Sequence, residues 1–194
     1  MTIAVRPANE ASPADLRAVF GSRGDPANCQ CQWFKARDVW SLPKQERTDR
    51  LRSQTHCGDA TAKETSGLVA YLDGEPAGWC AVEPRIAYER LIRARIPWTG
   101  RTEDKADPGV WAVTCFVTRT GYRRQGISRA LAKAAVTFAR ERGAHAVEGY
   151  PIVVEPGRIA GGELFVGSAS VFEEAGFTEV TRPTPRRAVM RIDF

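Results

Sequence analysis

The stretch from Val110 to Tyr150 constrains the fold more than any other part of the chain. Val110–Thr118 (VWAVTCFVT) is a run of β-branched, aromatic and small apolar residues long enough for a central strand. Polar Arg119–Gln125 follows. Gly126–Arg142 then sets Ile127, Leu131, Ala134 and Phe138 on one face at helical spacing and closes on a basic last turn before Gly143. Ala144–Tyr150 is strand-like again. Strand, turn, helix and strand in this order form a βαβ crossover, which makes the two strands parallel neighbours.

The rest of the chain supplies antiparallel pieces. Gly67–Leu72 and Ala77–Val82 are short apolar runs on either side of Asp73-Gly74-Glu75, a hairpin pattern. Phe177–Arg182 and Ala188–Ile192 repeat it across Pro183-Thr184-Pro185, and Thr2–Arg6 opens the chain as a strand. Ser12-Pro13-Ala14-Asp15 reads as a helix start, with Ser as cap, Pro at the first helical position and an acid at the third. Pro43–Cys57, Ala87–Arg95 and Ser168–Ala175 read as further helices. Asn28–Phe34 (NCQCQWF) is irregular, and Ile96–Gly109, rich in Pro, Gly and charge, reads as a mobile loop. The expected fold is mixed α/β (α+β): a twisted, mostly antiparallel sheet with one parallel pair near its middle, flanked by helices.

With 194 residues, no repeat and no linker, residues 1–194 are expected to form one domain with a core of its own. No apolar run has the length of a membrane span, and the first ten residues lack the basic-then-apolar pattern of a secretory signal. The expectation is a cytoplasmic protein without a membrane partner. The five cysteines are odd in number, and Cys80 and Cys115 sit inside strand-like runs, which suits reduced thiols. Cys29 and Cys31 have no second Cys or His pair at ligand spacing, and His56 and His145 stand alone, so no metal is expected. A net charge of +5 without interleaved aromatic residues gives no reason to expect a nucleic-acid partner.

The turn before the amphipathic helix is where chemistry shows. Arg123-Arg124-Gln125-Gly126-Ile127-Ser128 puts small residues where a helix begins, leaving its first backbone N–H groups uncovered at the positive end of the helix dipole. Arg119, Arg123, Arg124 and Arg129 surround them with charge. Such a turn suits a pyrophosphate. It is neither a GxxxxGK[ST] loop nor a GxGxxG fingerprint. After an apolar strand and before an amphipathic helix, this six-residue turn resembles the acyl-coenzyme A motif of the GNAT superfamily of N-acyltransferases, Gln/Arg-x-x-Gly-x-Gly/Ala. Ser128 departs from the usual final residue. Phe172-Glu-Glu-Ala-Gly-Phe177 resembles the family's later helix ending in Gly-Phe. Trp79–Leu91, NCQCQWF and Glu148-Gly-Tyr-Pro151 resemble a bacterial subgroup of that superfamily.

The resemblance implies transfer of an acetyl group from acetyl-CoA to a primary amine of a small molecule or peptide, and, at the level of the family, a homodimer. A binding module that senses acyl-CoA without turnover is the alternative. Phe116 and Val117 would meet the pantetheine arm on the splayed half of the long strand. The segment Arg123, Arg124, Gln125, Gly126, Ile127, Ser128 and Arg129 would hold the pyrophosphate, with Ser168, Ser170 and Phe172 completing the coenzyme site.

Direct transfer needs a base for the amine and a proton for the leaving thiolate. Many family members use a Tyr before Gly-Phe as the acid, but here that position is Phe172. Tyr150 and Ser170 are the nearest hydroxyls by sequence. Glu148 interrupts an apolar strand beside the expected acyl site, where partial burial would favour uptake of a proton, and is the first candidate base. Glu83, at the end of Trp79-Cys-Ala-Val-Glu-Pro84, is the second. Cys115, mid-strand and far in sequence from any His, reads as an inert filler. Trp33, Phe34, Trp40 and Trp98 would wall an acceptor pocket or pack in the core.

Overall fold

A computed structural model describes residues 1–154 and 162–194. Seven strands form one sheet in the order β1-β2-β3-β4-β5-β7-β6. They are β1 (Ile3–Pro7), β2 (Leu68–Leu72), β3 (Glu75–Pro84), β4 (Val110–Thr118), β5 (Ala146–Gly149), β6 (Thr178–Thr184) and β7 (Arg187–Asp193). All neighbours are antiparallel except β4 and β5, the pair joined by the crossover. The mixed sheet expected from sequence is therefore the one observed. Among the described residues six α-helices flank it: α1 (Pro13–Phe20), α2 (Gly24–Cys29), α3 (Lys44–Thr55), α4 (Glu89–Arg93), α5 (Ile127–Glu141) and α6 (Ala169–Glu173).

Local chemistry explains the ends of these elements. The Ser12 hydroxyl accepts from the Asp15 amide while the Asp15 carboxylate accepts from the Ser12 amide, a reciprocal cap that starts α1. Asp73 and Gly74, both at positive φ, make the tight turn between β2 and β3. Expected helix 87–95 divides in two: a 3-10 turn at Arg85–Ala87 and the short α4.

The sheet is covered on both faces. On one, α5 lays Ile127, Leu131, Ala135 and Phe138 against Leu68, Cys80, Val82, Trp111 and Val113. On the other, Leu16, Val19 and Phe20 of α1 and Leu51 of α3 pack on Val69, Trp79 and Ala81. The alternation along β3, with Trp79 and Ala81 to one side and Cys80 and Val82 to the other, is the period-two rule at work.

Residues 96–109 are not the loose loop that their composition suggests. Arg85, fully buried, donates from Nη2 to the Asp104 carbonyl at 2.6 Å and from Nε to the Lys105 carbonyl at 3.3 Å. Trp98 is buried beneath Arg85 and Arg101, each 4.9 Å from its ring, and donates its indole N–H to the Leu91 carbonyl. Stacked guanidinium groups and filled carbonyls replace the apolar contacts that the segment lacks.

Gly149, the last residue of β5, has no room for a side chain: a Cβ there would lie 2.1 Å from the Phe172 ring. Gly149→Ala is expected to destabilise the protein by about 2 kcal/mol, the cost of overpacking a rigid aromatic contact. Urea unfolding measures it, with a lower midpoint and an unchanged m-value as the expected outcome.

Candidate active site

Register along β4 builds the site. Ala81 pairs with Cys115 and Val82 with Val113, so Thr114 is an extra residue on β4, a bulge. On the other edge, β4 pairs with β5 only from Val110↔Ala146 to Val113↔Gly149. A bulge bends its strand and sharpens the local twist. The two parallel strands separate at the residue where the bulge sits, and Thr114–Thr118 has no β5 partner. Phe116 and Val117 lie on this forked half, as expected. The carboxyl ends of parallel strands, where such a fork opens, are the usual ligand crevice of α/β sheets.

The turn into α5 faces the same end of β4. Arg124 (φ 62°) and Gly126 (φ 80°) are both left-handed, and Gly126 caps the helix without a side-chain bond. The first helical bond runs from the Ala130 amide to the Gly126 carbonyl at 3.0 Å. The amides of Ile127, Ser128 and Arg129 thus have no partner among the described residues. Glycine suits Gly126 because L side chains rarely adopt that φ, and the space around it is open, the first neighbour being Ile3 at 3.8 Å. Arg123 and Arg124 are exposed, without an ion pair among the described residues. Gln125 reaches back to the Gly121 carbonyl at 3.1 Å. Arg129 is engaged by Glu174 at 2.9 Å, which ties α5 to α6.

Phe172 is a core residue. Fully buried, it stacks edge-on against Phe116 and Phe177 with centroids 5.8 and 5.0 Å away. Its ring has no proton to give. Ser168 and Ser170 sit at the start of α6 with their hydroxyls 3.1 Å apart.

The two candidate bases differ sharply. Glu148 is fully buried on β5, and both of its oxygens are taken. Oε1 accepts from Arg191 at 2.9 Å and from Arg101; Oε2 accepts from Tyr150 at 2.7 Å, Arg85 at 3.1 Å and Arg101 at 3.4 Å. Partial burial was expected to leave Glu148 ready to accept a proton. Three guanidinium groups and a phenol instead occupy both of its oxygens, so neither oxygen is open to a substrate. Tyr150 spends its hydroxyl on the same carboxylate, and burial together with the Glu148 charge pushes its phenol well above the ordinary value. Neither residue has a free atom for substrate.

Glu83 lies on the same sheet face, opposite Ala112 in β4, which pairs in turn with Glu148. Its Oε1 is paired with Lys35 and accepts from the Ser66 hydroxyl at 3.0 Å. Oε2 has no partner among the described residues. Lys35 also donates to Ser66 at 2.9 Å and Gln54 at 3.0 Å. Around this carboxylate gather groups that sequence reading missed. Cys31, held at φ 56°, accepts the Trp79 indole N–H at 3.2 Å. The adjacent Cys115 thiol lowers the Cys31 pKa, and its own is raised by Cys31 and by burial. Thr114 and Tyr88 complete the face. The only advance signal was the Cys-Gln-Cys-Gln-Trp-Phe-Lys run, whose chemistry depends on a backbone path that no periodicity reveals.

The sequence of residues 31–155 matches the model of the acetyltransferase (GNAT) family, and the chain belongs to that family. Solved structures agree in fold. A ribosomal-protein-alanine N-acetyltransferase from Brucella melitensis is 17% identical with a TM-score of 0.54, over 98% of this chain and 99% of its own. A putative acetyltransferase from Salmonella typhimurium, solved with acetyl-CoA, is 13% identical with a TM-score of 0.54, over 98% of this chain and 93% of its own. An N-acetyltransferase from Thermoplasma acidophilum, in complex with coenzyme A, is 14% identical with a TM-score of 0.50 over the whole of both chains. No curated protein sequence matches significantly.

If Glu148 is a structural anchor, Glu148→Gln should cost about 3 kcal/mol of stability, the scale for removing one partner of a buried ion pair. Chemical denaturation checks this. Wild-type stability in the variant would return Glu148 to the list of free carboxylates.

Proposed function

We propose that this chain is an acetyl-CoA-dependent N-acetyltransferase that acts on a primary amine by direct attack, with Glu83 as the base. The observation that carries the reading is the fork after Val113 and Gly149, set beside a helix start whose first three amides are unfilled. A fork suits an extended pantetheine arm, whose amides bond to strand edges. The helix start suits the pyrophosphate, through its amides, its dipole and the free charges of Arg123 and Arg124. Among the described residues no helix is long and apolar enough to cross a membrane.

In this reading the acyl carbon lies at the fork near Thr114, and the amine approaches from the face that carries Glu83. Glu83 Oε2 takes the proton from the attacking nitrogen, directly or through one water, while Lys35 and Ser66 hold Oε1. The carbon–nitrogen bond forms, the carbon–sulfur bond breaks, and the proton lost by nitrogen is the one the coenzyme A thiolate requires. Phe172 supports the second reading, a sensor without turnover. A wide amine panel separates the two by thiol release from acetyl-CoA.

Two variants test the parts separately. Gly126→Glu fills the open turn with a like charge and strains a left-handed position. It should weaken calorimetric coenzyme A binding at least about tenfold. Glu83→Gln keeps the bond from Ser66 and removes the base. It should bind acetyl-CoA normally and lower kcat about 100-fold or more. Full turnover by Glu83→Gln would remove that residue from the mechanism.

A further inference from the structure

Of the four tyrosines, Tyr71 donates to Asp15 at 2.9 Å, Tyr150 donates to Glu148, and Tyr122 lies half-buried in the turn before α5. Tyr88 differs from all of them. It is fully buried, and its hydroxyl makes no regular hydrogen bond among the described residues. A buried hydroxyl without a partner costs about 1–3 kcal/mol, and phenylalanine would fill the same space without that cost.

The surroundings of Tyr88 point to a use. It follows the 3-10 turn at Arg85–Ala87, and its ring packs among Leu91, Ala112, Tyr150 and Val189. Ala112 is among the last β4 residues paired with β5. Thr114, the bulge residue at the fork, is the side chain that leans on the phenol through a contact short of a regular bond. Lys35 Nζ, the partner of Glu83, lies 5.7 Å from the ring centre. The free hydroxyl therefore belongs to the neighbourhood of Thr114 and Glu83, where the acyl carbon is proposed to lie.

We propose that the Tyr88 hydroxyl donates a hydrogen bond to the acyl carbonyl oxygen of the bound thioester. This inference rests on the acetyltransferase reading and adds a residue to it. As the nitrogen attacks, the carbonyl electron pair moves onto oxygen, and Tyr88 stabilises that charge without losing its proton. When the pair returns, the carbon–sulfur bond breaks and the thiolate leaves. Burial, then the Glu83 charge, hold the phenol well above its ordinary pKa, so it remains a neutral donor through the alkaline range. A fixed donor aimed at an oxyanion typically contributes about 10²–10³ in kcat.

Tyr88→Phe in the full chain tests this, with acetyl-CoA labelled at the carbonyl carbon as the probe. No acceptor is needed. Calorimetry should give a Kd for the variant above that of wild type, by up to about tenfold, because only wild type fills an unpaired hydroxyl on binding. In wild type the infrared carbonyl stretch of bound acetyl-CoA should move below that of the free thioester, and the variant should lose the shift. Thermal stability of the variant should equal or exceed that of wild type, since the unpaired hydroxyl is gone. An identical carbonyl stretch in both proteins overturns the proposal. A variant that fails to fold also overturns it, by making the phenol structural. If wild type does not bind acetyl-CoA at all, the acetyltransferase reading itself is what falls.

Discussion

One extra residue in β4 organises this molecule. Thr114 has no counterpart in β3, and where it sits the parallel pairing of β4 with β5 ends at Val113 and Gly149. β5 is paired along its whole length and ends at Gly149, level with Val113, so β4 runs on from Thr114 to Thr118 past the end of its parallel neighbour. The bulge bends the strand where that free edge begins, and Gly149 lets the Phe172 ring settle against the end of β5. Phe116 and Phe177 hold that ring, so the gap is wedged from the α5 side by aromatic packing. The opposite face is left to polar groups: Thr114, Cys115, Tyr88, Glu83 and Lys35.

Next to this fork lies a buried charge system with a different task. Glu148 joins Arg85, Arg101 and Arg191, and through them Glu103, Asp104 and Lys105. Its strand partners place it: Ala112 on one side and Arg191 on the other. A segment with little apolar content is thereby fixed over the sheet by charge and by stacking on Trp98. Removing one member would expose the desolvation cost of the others, so the cluster is a structural unit rather than a reserve of free bases.

Much of this was legible in the chain before any coordinates. The apolar run 110–118, the helical spacing from Ile127 to Phe138 and the Asp73-Gly74 turn each depend on residues close in sequence, and each formed where it was read. The glycine at the start of α5 was legible for the same reason. What escaped depends on register and on distant partners. A bulge at Thr114 leaves no mark in a run of strand formers. The freedom of Glu83 and the capture of Glu148 are decided by Lys35, Arg85, Arg101 and Arg191, from separate parts of the chain. Composition marked residues 96–109 as loose because charge there reads as solvation, whereas Arg101 turns inward to the buried Glu148 carboxylate.

On the proposed function, coenzyme A occupies the fork and the start of α5 together. Hydrogen–deuterium exchange of the full chain with and without acetyl-CoA tests it most directly, because the amides of residues 127–129 and the β5-facing edge of 114–118 have no partner among the described residues to slow them. Binding should protect both segments at once. Protection confined to other parts of the chain, or none at saturating acetyl-CoA, would contradict the account.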